Sequence, residues 1–127
     1  MNRQIVTDYI KREFGVTGET LWMDATLYNV FRNRQNGKWF AIIMDVDKSK
    51  LGLDGEGNVD IINVKCDPLL IGSLLGAPGY LSAYHMSKVH WISILLDGSA
   101  PDGEIKDLIH LSYEMVDKKH NKKLGEK

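Results

Sequence analysis

The chain has 127 residues, 43% of them hydrophobic and 26% charged, with 16 Lys+Arg against 17 Asp+Glu. That is the size of one domain, and folding buries roughly two-thirds of the unfolded chain's surface, enough for a core without staples. A net charge of −1 argues against a general attraction to nucleic acid, and a single Cys excludes an internal disulfide framework and a cysteine-only metal site.

In chain order, Asn2 caps a first helix whose apolar stripe is Ile5, Val6, Tyr9, Ile10 and Phe14, and Gly15 ends it. Two strands follow, Leu27–Arg32 and Lys38–Met44, joined by a turn over residues 33–37 in which Asn36-Gly37 is the hairpin signal. A third strand, Val59–Cys66, alternates. Ile62, Val64 and Cys66 face one way, Asn63 and Lys65 the other. Asp67-Pro68 opens a short helix with an apolar face of Leu69, Leu70, Leu74 and Leu75, closed by Gly76, Pro78 and Gly79. Tyr80–Lys88 reads as a loop or short extended piece. His90–Leu96 is a strand ended by an Asp97-Gly98 turn. Ser99 caps the last helix, whose stripe is Ile105, Leu108, Ile109, Ser112, Met115 and Val116.

Strands joined by tight turns imply an antiparallel sheet of about five strands, and the terminal helices can cover one face of it. The expected fold is therefore an α+β two-layer sandwich with one sheet face lacking a helical cover. Residues 1–127 read as a single domain, since no repeat or linker interrupts them. Residues 117–127 carry five Lys, one Asp and one Glu, and read as a basic, frayed tail. The opening MNRQIVTDYIKREF lacks the apolar stretch of a signal peptide, and no window approaches the ~20 apolar residues of a membrane span. A reduced, cytoplasmic protein with no membrane partner is the expectation.

Asp45, Asp47, Ser49 and Glu56 fall at calcium-loop positions, but Lys50 stands where that loop needs Gly and a strand precedes it, so a polar hairpin loop is expected. Cys66 with His85, His90 or His110 could be catalytic only in contact, and Cys66 falls on the apolar side of its strand. No Gly-rich phosphate loop, serine elbow or carboxylate pair is visible, so no catalytic residue, metal or cofactor is expected. The segment Tyr84-His85-Met86-Ser87-Lys88-Val89-His90-Trp91 gathers cationic and aromatic side chains in eight residues. With Lys65 from the neighbouring strand, and Arg32, Arg34 and Lys38 from the first hairpin, it could form a basic and aromatic platform.

Gly37-Lys38-Trp39-Phe40-Ala41, Val64-Lys65-Cys66-Asp67-Pro68, the Tyr84–Trp91 segment, Leu96-Asp97-Gly98-Ser99 and Leu108-Ile109-His110-Leu111-Ser112-Tyr113-Glu114 together resemble the MmcQ/YjbR family of small bacterial proteins. The resemblance covers nearly the whole chain. It implies a CyaY-like α+β fold and the family's label of a "double-wing" DNA-binding protein, and its patterned positions fall on Lys65, His85, Lys88, His90 and Trp91. A weak, salt-sensitive DNA-binding module without enzymatic activity is the first expectation. Near-neutral charge and the acidic residues of 45–58 support the alternative, a module that binds a protein or a small anion. Iron handling, suggested by the fold alone, would need dense carboxylates on the first helix. That helix offers only Asp8 and Glu13 beside Arg3, Lys11 and Arg12.

Overall fold

The computed structural model describes residues 1–23 and 26–125, with side chains up to residue 117. The elements are α1 (Arg3–Phe14), β1 (Glu19–Met23), β2 (Thr26–Arg32), β3 (Trp39–Asp47), β4 (Asn58–Lys65), α2 (Pro68–Leu74), β5 (Tyr80–Ser82), β6 (Trp91–Leu95) and α3 (Asp102–Gly125). The six strands form one antiparallel sheet in the order β1-β2-β3-β4-β6-β5. The architecture is the expected α+β sandwich with one more strand than the sequence suggested. The frayed end expected at 117–127 falls largely on side chains outside the described residues.

Local chemistry sets most boundaries. Asn2 accepts the Ile5 amide at 2.9 Å, and Gly15 closes α1 at φ 68° with its own N–H on Lys11 O. Asp67 accepts the Leu69 amide at 2.9 Å ahead of Pro68. In the β2–β3 turn, Asn33 carries the organisation, because its side-chain oxygen accepts the amides of Gln35 and Asn36. Ser99 does not cap α3. Its amide and hydroxyl both donate to Asp97, which closes the turn after β6, and the helix starts three residues later. Ile5 is half exposed, and in α2 it is Ile71 that is buried while Leu69 faces outward.

Each face of the sheet has its own core. On the first, α1, α2 and α3 lay Val6, Tyr9, Ile10, Ile71, Ile105, Leu108 and Ile109 over Phe31, Ile43, Ile62, Val64, Ile92 and Ile94. The second face was expected to be bare, and it is not. Its register rows Tyr28–Met44–Ile61–Leu95 and Val30–Ile42–Asn63–Ser93 run straight across β2, β3, β4 and β6. Their apolar members are buried.

The cover is the chain between β5 and β6, together with Leu51 and Leu53 of the connection between β3 and β4. Asn63 and Ser93, both fully buried, hydrogen-bond to each other through the Ser93 hydroxyl and the Asn63 carbonyl. Together they hold both backbone groups of Tyr84. Asn63 Nδ2 donates to Tyr84 O and Tyr84 N donates to Ser93 Oγ, each at 2.9 Å. Thus pinned, the segment lays Tyr84 and Met86 on the second core. His85 reaches β2, where its Nδ1 lies 3.0 Å from the Tyr28 hydroxyl.

Asn63→Ala removes the partner of Tyr84 O and of the Ser93 hydroxyl. At ~1–3 kcal/mol per buried group left unpaired, the loss of unfolding free energy should be about 2 kcal/mol or more. Urea denaturation checks the loss, and faster hydrogen exchange at the Tyr84 amide checks that the strap has been released.

Candidate functional site

Beyond the two apolar rows, the second face ends in a row of another character. Arg32 on β2 is the register partner of Trp39 on β3, and Lys65 on β4 is the partner of Trp91 on β6. Period-two alternation from Val30, Asn63 and Ser93 places Arg32, Lys65 and Trp91 on this face. Trp39 joins them through a break in that alternation. Phe40 and Ala41 both point into the first core, and the ladder shifts between Phe31 and Arg32. Cation and indole therefore alternate across four adjacent strands. The Arg32 guanidinium lies 5.7 Å from the centroid of Trp39, within cation–π range. Both indoles pack against the second core and keep part of their surface in solvent.

The irregular β3 backbone leaves groups that the ladder does not pair, and α3 supplies the partner. Ser112, fully buried, stands where the register runs out past Ala41 and Val64. Its Oγ accepts from Lys65 N at 2.9 Å and donates to Phe40 O at 2.6 Å. One hydroxyl thus fixes the backbone of Lys65 and the residue after Trp39. Neither Trp39 nor Ser112 stood out as functional in the sequence. The signal for Trp39 was its place one residue after Lys38, but its face depends on the bulge.

The nine side chains proposed from sequence do not form one platform. Lys65, Trp91 and Arg32 share the row, and Lys38 is exposed beside Trp39. His90 is exposed beside Trp91, and its carbonyl accepts the Cys66 amide at 2.8 Å. Tyr84 and His85 are stacked on each other with centroids 4.0 Å apart. His85, at φ 59°, serves to anchor the strap to Tyr28. Lys88 Nζ donates to Ala83 O at 2.6 Å and so ties the strap's two ends together. Arg34 lies elsewhere. Its guanidinium rests against Gly15 at the end of α1, beside a cleft of about 440 Å³ lined by Glu13, Phe14, Arg34, Gln35 and Tyr113. A carboxylate enters the row as well, since Glu19, on the same face through its partner Val30, pairs with Arg32.

Cys66 is 2% exposed and belongs to the first core. Burial pushes its thiol pKa up, and the Asp67 carboxylate adds to the rise. His110 is spent on Tyr9, whose hydroxyl lies 2.7 Å from its Nε2. In the hairpin after β3, Asp47 accepts from the amide and hydroxyl of Ser49, which hold its carboxylate pKa below the usual range. Asp47 there caps a short 3₁₀ turn, Lys48–Leu51. Among the described residues no three His, Cys, Asp or Glu side chains converge to hold a metal, and no helix is long and apolar enough to cross a membrane.

Residues 14–115 match the YjbR family. The uncharacterized protein YyaQ of Bacillus subtilis (strain 168) is 38% identical over 116 residues, which cover 91% of this chain and 98% of YyaQ. A crystal structure of a Pseudomonas syringae protein superposes with a TM-score of 0.86 at 41% identity, covering 91% of this chain and 98% of that one. The Deinococcus radiodurans protein DR2400, at 21% identity and a TM-score of 0.69 over 94% of this chain and 80% of its own, shares the fold.

Ser112→Ala leaves Lys65 N and Phe40 O without their bridge and should cost about 1–3 kcal/mol in denaturant unfolding. Ser112→Thr, which keeps the hydroxyl, should retain more of that stability. The Cys66 thiol should resist iodoacetamide in the native protein and react at the rate of an unfolded thiol in denaturant. Rapid native labelling would place it in a more open environment than its burial allows.

Proposed function

The chain belongs to the YjbR family, and we propose that it is a non-enzymatic DNA-binding module whose contact surface is the Arg32–Trp39–Lys65–Trp91 row. The observation that carries this reading is the alternation itself. Cations with indoles between them, on adjacent strands of a rigid sheet, match a ligand that alternates phosphates with flat rings. Lys38 and His90 stand exposed beside the row, and Lys88 adds charge from the strap. Lys65 is the central phosphate contact, because it stands between the two indoles.

The same surface implies weak binding. Arg32 is already paired with Glu19, which leaves few cations to release counterions. This pairing also favours a second reading, a site for a small anion or an acidic peptide. A ligand that needs only one or two cations could use Lys65 and Lys38 without displacing Glu19.

Fluorescence anisotropy with labelled DNA at low and at physiological salt separates the two. The DNA reading expects binding at low salt that weakens steeply as salt rises. Lys65→Ala should flatten the plot of log K against log salt by about 0.7–0.9, the loss of one phosphate contact. No binding at low salt, with a thermal shift from phosphate or a mononucleotide, would overturn it in favour of the small anion.

A further inference from the structure

We propose that the strand lying on this row is single-stranded and crosses the β-strands, with one base on Trp39, the next on Trp91 and the intervening phosphate on Lys65. The proposal rests on the nucleic-acid reading above and specifies the form of the ligand.

Spacing is the first argument. Trp39 and Trp91 sit on β3 and β6, with β4 between them. Adjacent strands lie ~4.8 Å apart, so the two indoles are separated by about 10 Å along the row. Bases along one strand of a duplex are ~3.4 Å apart. Two rings held at the wider separation cannot take adjacent bases of an intact stack, but they can take bases that have been pulled apart. Lys65, on β4, then falls between them, where the linking phosphodiester must pass.

Access is the second argument. Inside a duplex the base faces are covered by their neighbours, and an indole can meet only an edge or the backbone. Reading edges requires an element that enters a groove. The helices α1 and α3 are committed to the other side of the sheet, where their apolar stripes are buried. The row itself lies at the end of a sheet face, and the β2–β3 turn that runs on from Arg32 and Trp39 is tied to α3, where Asn36 Nδ2 donates to Val116 O at 3.0 Å. Such a surface presents indole area beside positive charge, which a strand with unstacked bases can use.

Rigidity is the third. Both indoles pack against the second core, and Ser112 fixes the backbone beside each of Trp39 and Lys65. Little side-chain freedom remains to be lost when a base settles on the ring. Lys65 and the indoles would meet phosphate and base, groups that single-stranded DNA and RNA share, and the experiment distinguishes the two.

Trp22→Phe removes the one indole outside the row, since Trp22 is exposed on the other side of the sheet. In that background, the remaining tryptophan fluorescence reports on Trp39 and Trp91. The probes are oligo(dT), oligo(U) of equal length, a duplex of equal length and an abasic oligodeoxynucleotide. Oligo(dT) should quench the fluorescence and bind more tightly than the duplex, and the abasic strand should bind without quenching. Equal quenching by oligo(U) supports the shared single-strand chemistry, and quenching by one alone identifies the source. Trp91→Leu and Trp39→Leu, which keep apolar packing, should each weaken oligo(dT) roughly tenfold and leave the duplex within about twofold. A duplex that binds as tightly as oligo(dT), or an abasic strand that matches oligo(dT), overturns this inference and leaves DNA binding in place. Failure of every polynucleotide at low salt overturns the underlying reading as well.

Discussion

The structure turns on the hydrogen-bonded pair Asn63–Ser93 and the backbone of Tyr84 that it holds. Two polar side chains at the centre of an apolar sheet face are costly unless every group finds a partner. Here they find one another and both backbone groups of the same residue. That arrangement draws the Ala83–His90 segment over the second face and seals the core formed by Tyr28, Val30, Ile42, Met44, Ile61 and Leu95. The face that lacks helices is therefore not an open platform. What stays accessible is the row past the strap, and its position follows from where the strap is tied.

Much of this fold is written locally. Asn2, Gly15 and Asp67-Pro68 act within a few residues of themselves, and the structure places them as caps. The alternation of 59–66 is equally local, and it correctly sends Asn63 and Lys65 to the face opposite Ile62 and Val64. What escaped has a non-local cause. Strand β1 is five residues long with little burial of its own, and only pairing with β2 defines it. Ser99 looks like a helix cap, but Asp97 two residues earlier takes both of its donors. In α2 the single buried side chain is Ile71, between leucines that seemed better placed, because the helix is too short for its stripe to set its orientation.

The site divides along the same line. Lys65 and Trp91 were legible because strand alternation and adjacency to the strap point to both. Their partnership was not, since it is a register between β4 and β6 across a helix, a strand and a loop. Trp39 owes its face to an irregularity in β3, and Ser112 owes its role to the backbone groups this irregularity leaves unpaired. His85 and Lys88 have the residue types of ligand contacts but serve the strap. Arg34 follows the turn after Arg32 and ends against α1 instead. In each case composition suggested the chemistry, and a contact distant in sequence decided its use.

Net charge is the remaining point on which the whole chain and the site diverge. A value of −1 argued against nucleic acid, yet the three acids of β3 and β4, Asp45, Asp47 and Asp60, stand at the far end of the sheet from the row. Asp45 and Asp60 face one another across β3 and β4 on the helix side of the sheet, a repulsive pairing that Arg3 relieves by forking onto Asp60 at 2.8 and 3.2 Å. With Asp47 they line a groove of about 780 Å³ at that end. Along β4, Asp60 and Lys65 are five residues apart, about 16 Å at ~3.3 Å per residue, and an odd separation puts them on opposite faces. At physiological ionic strength that distance is roughly twice the ~8 Å Debye length. Lys65 is thus screened from the carboxylates of that groove. A polyanion arriving at the row meets its local charge, diminished by Glu19, which the sheet register brings onto the same face beside Arg32, and by Asp67, exposed two residues beyond Lys65.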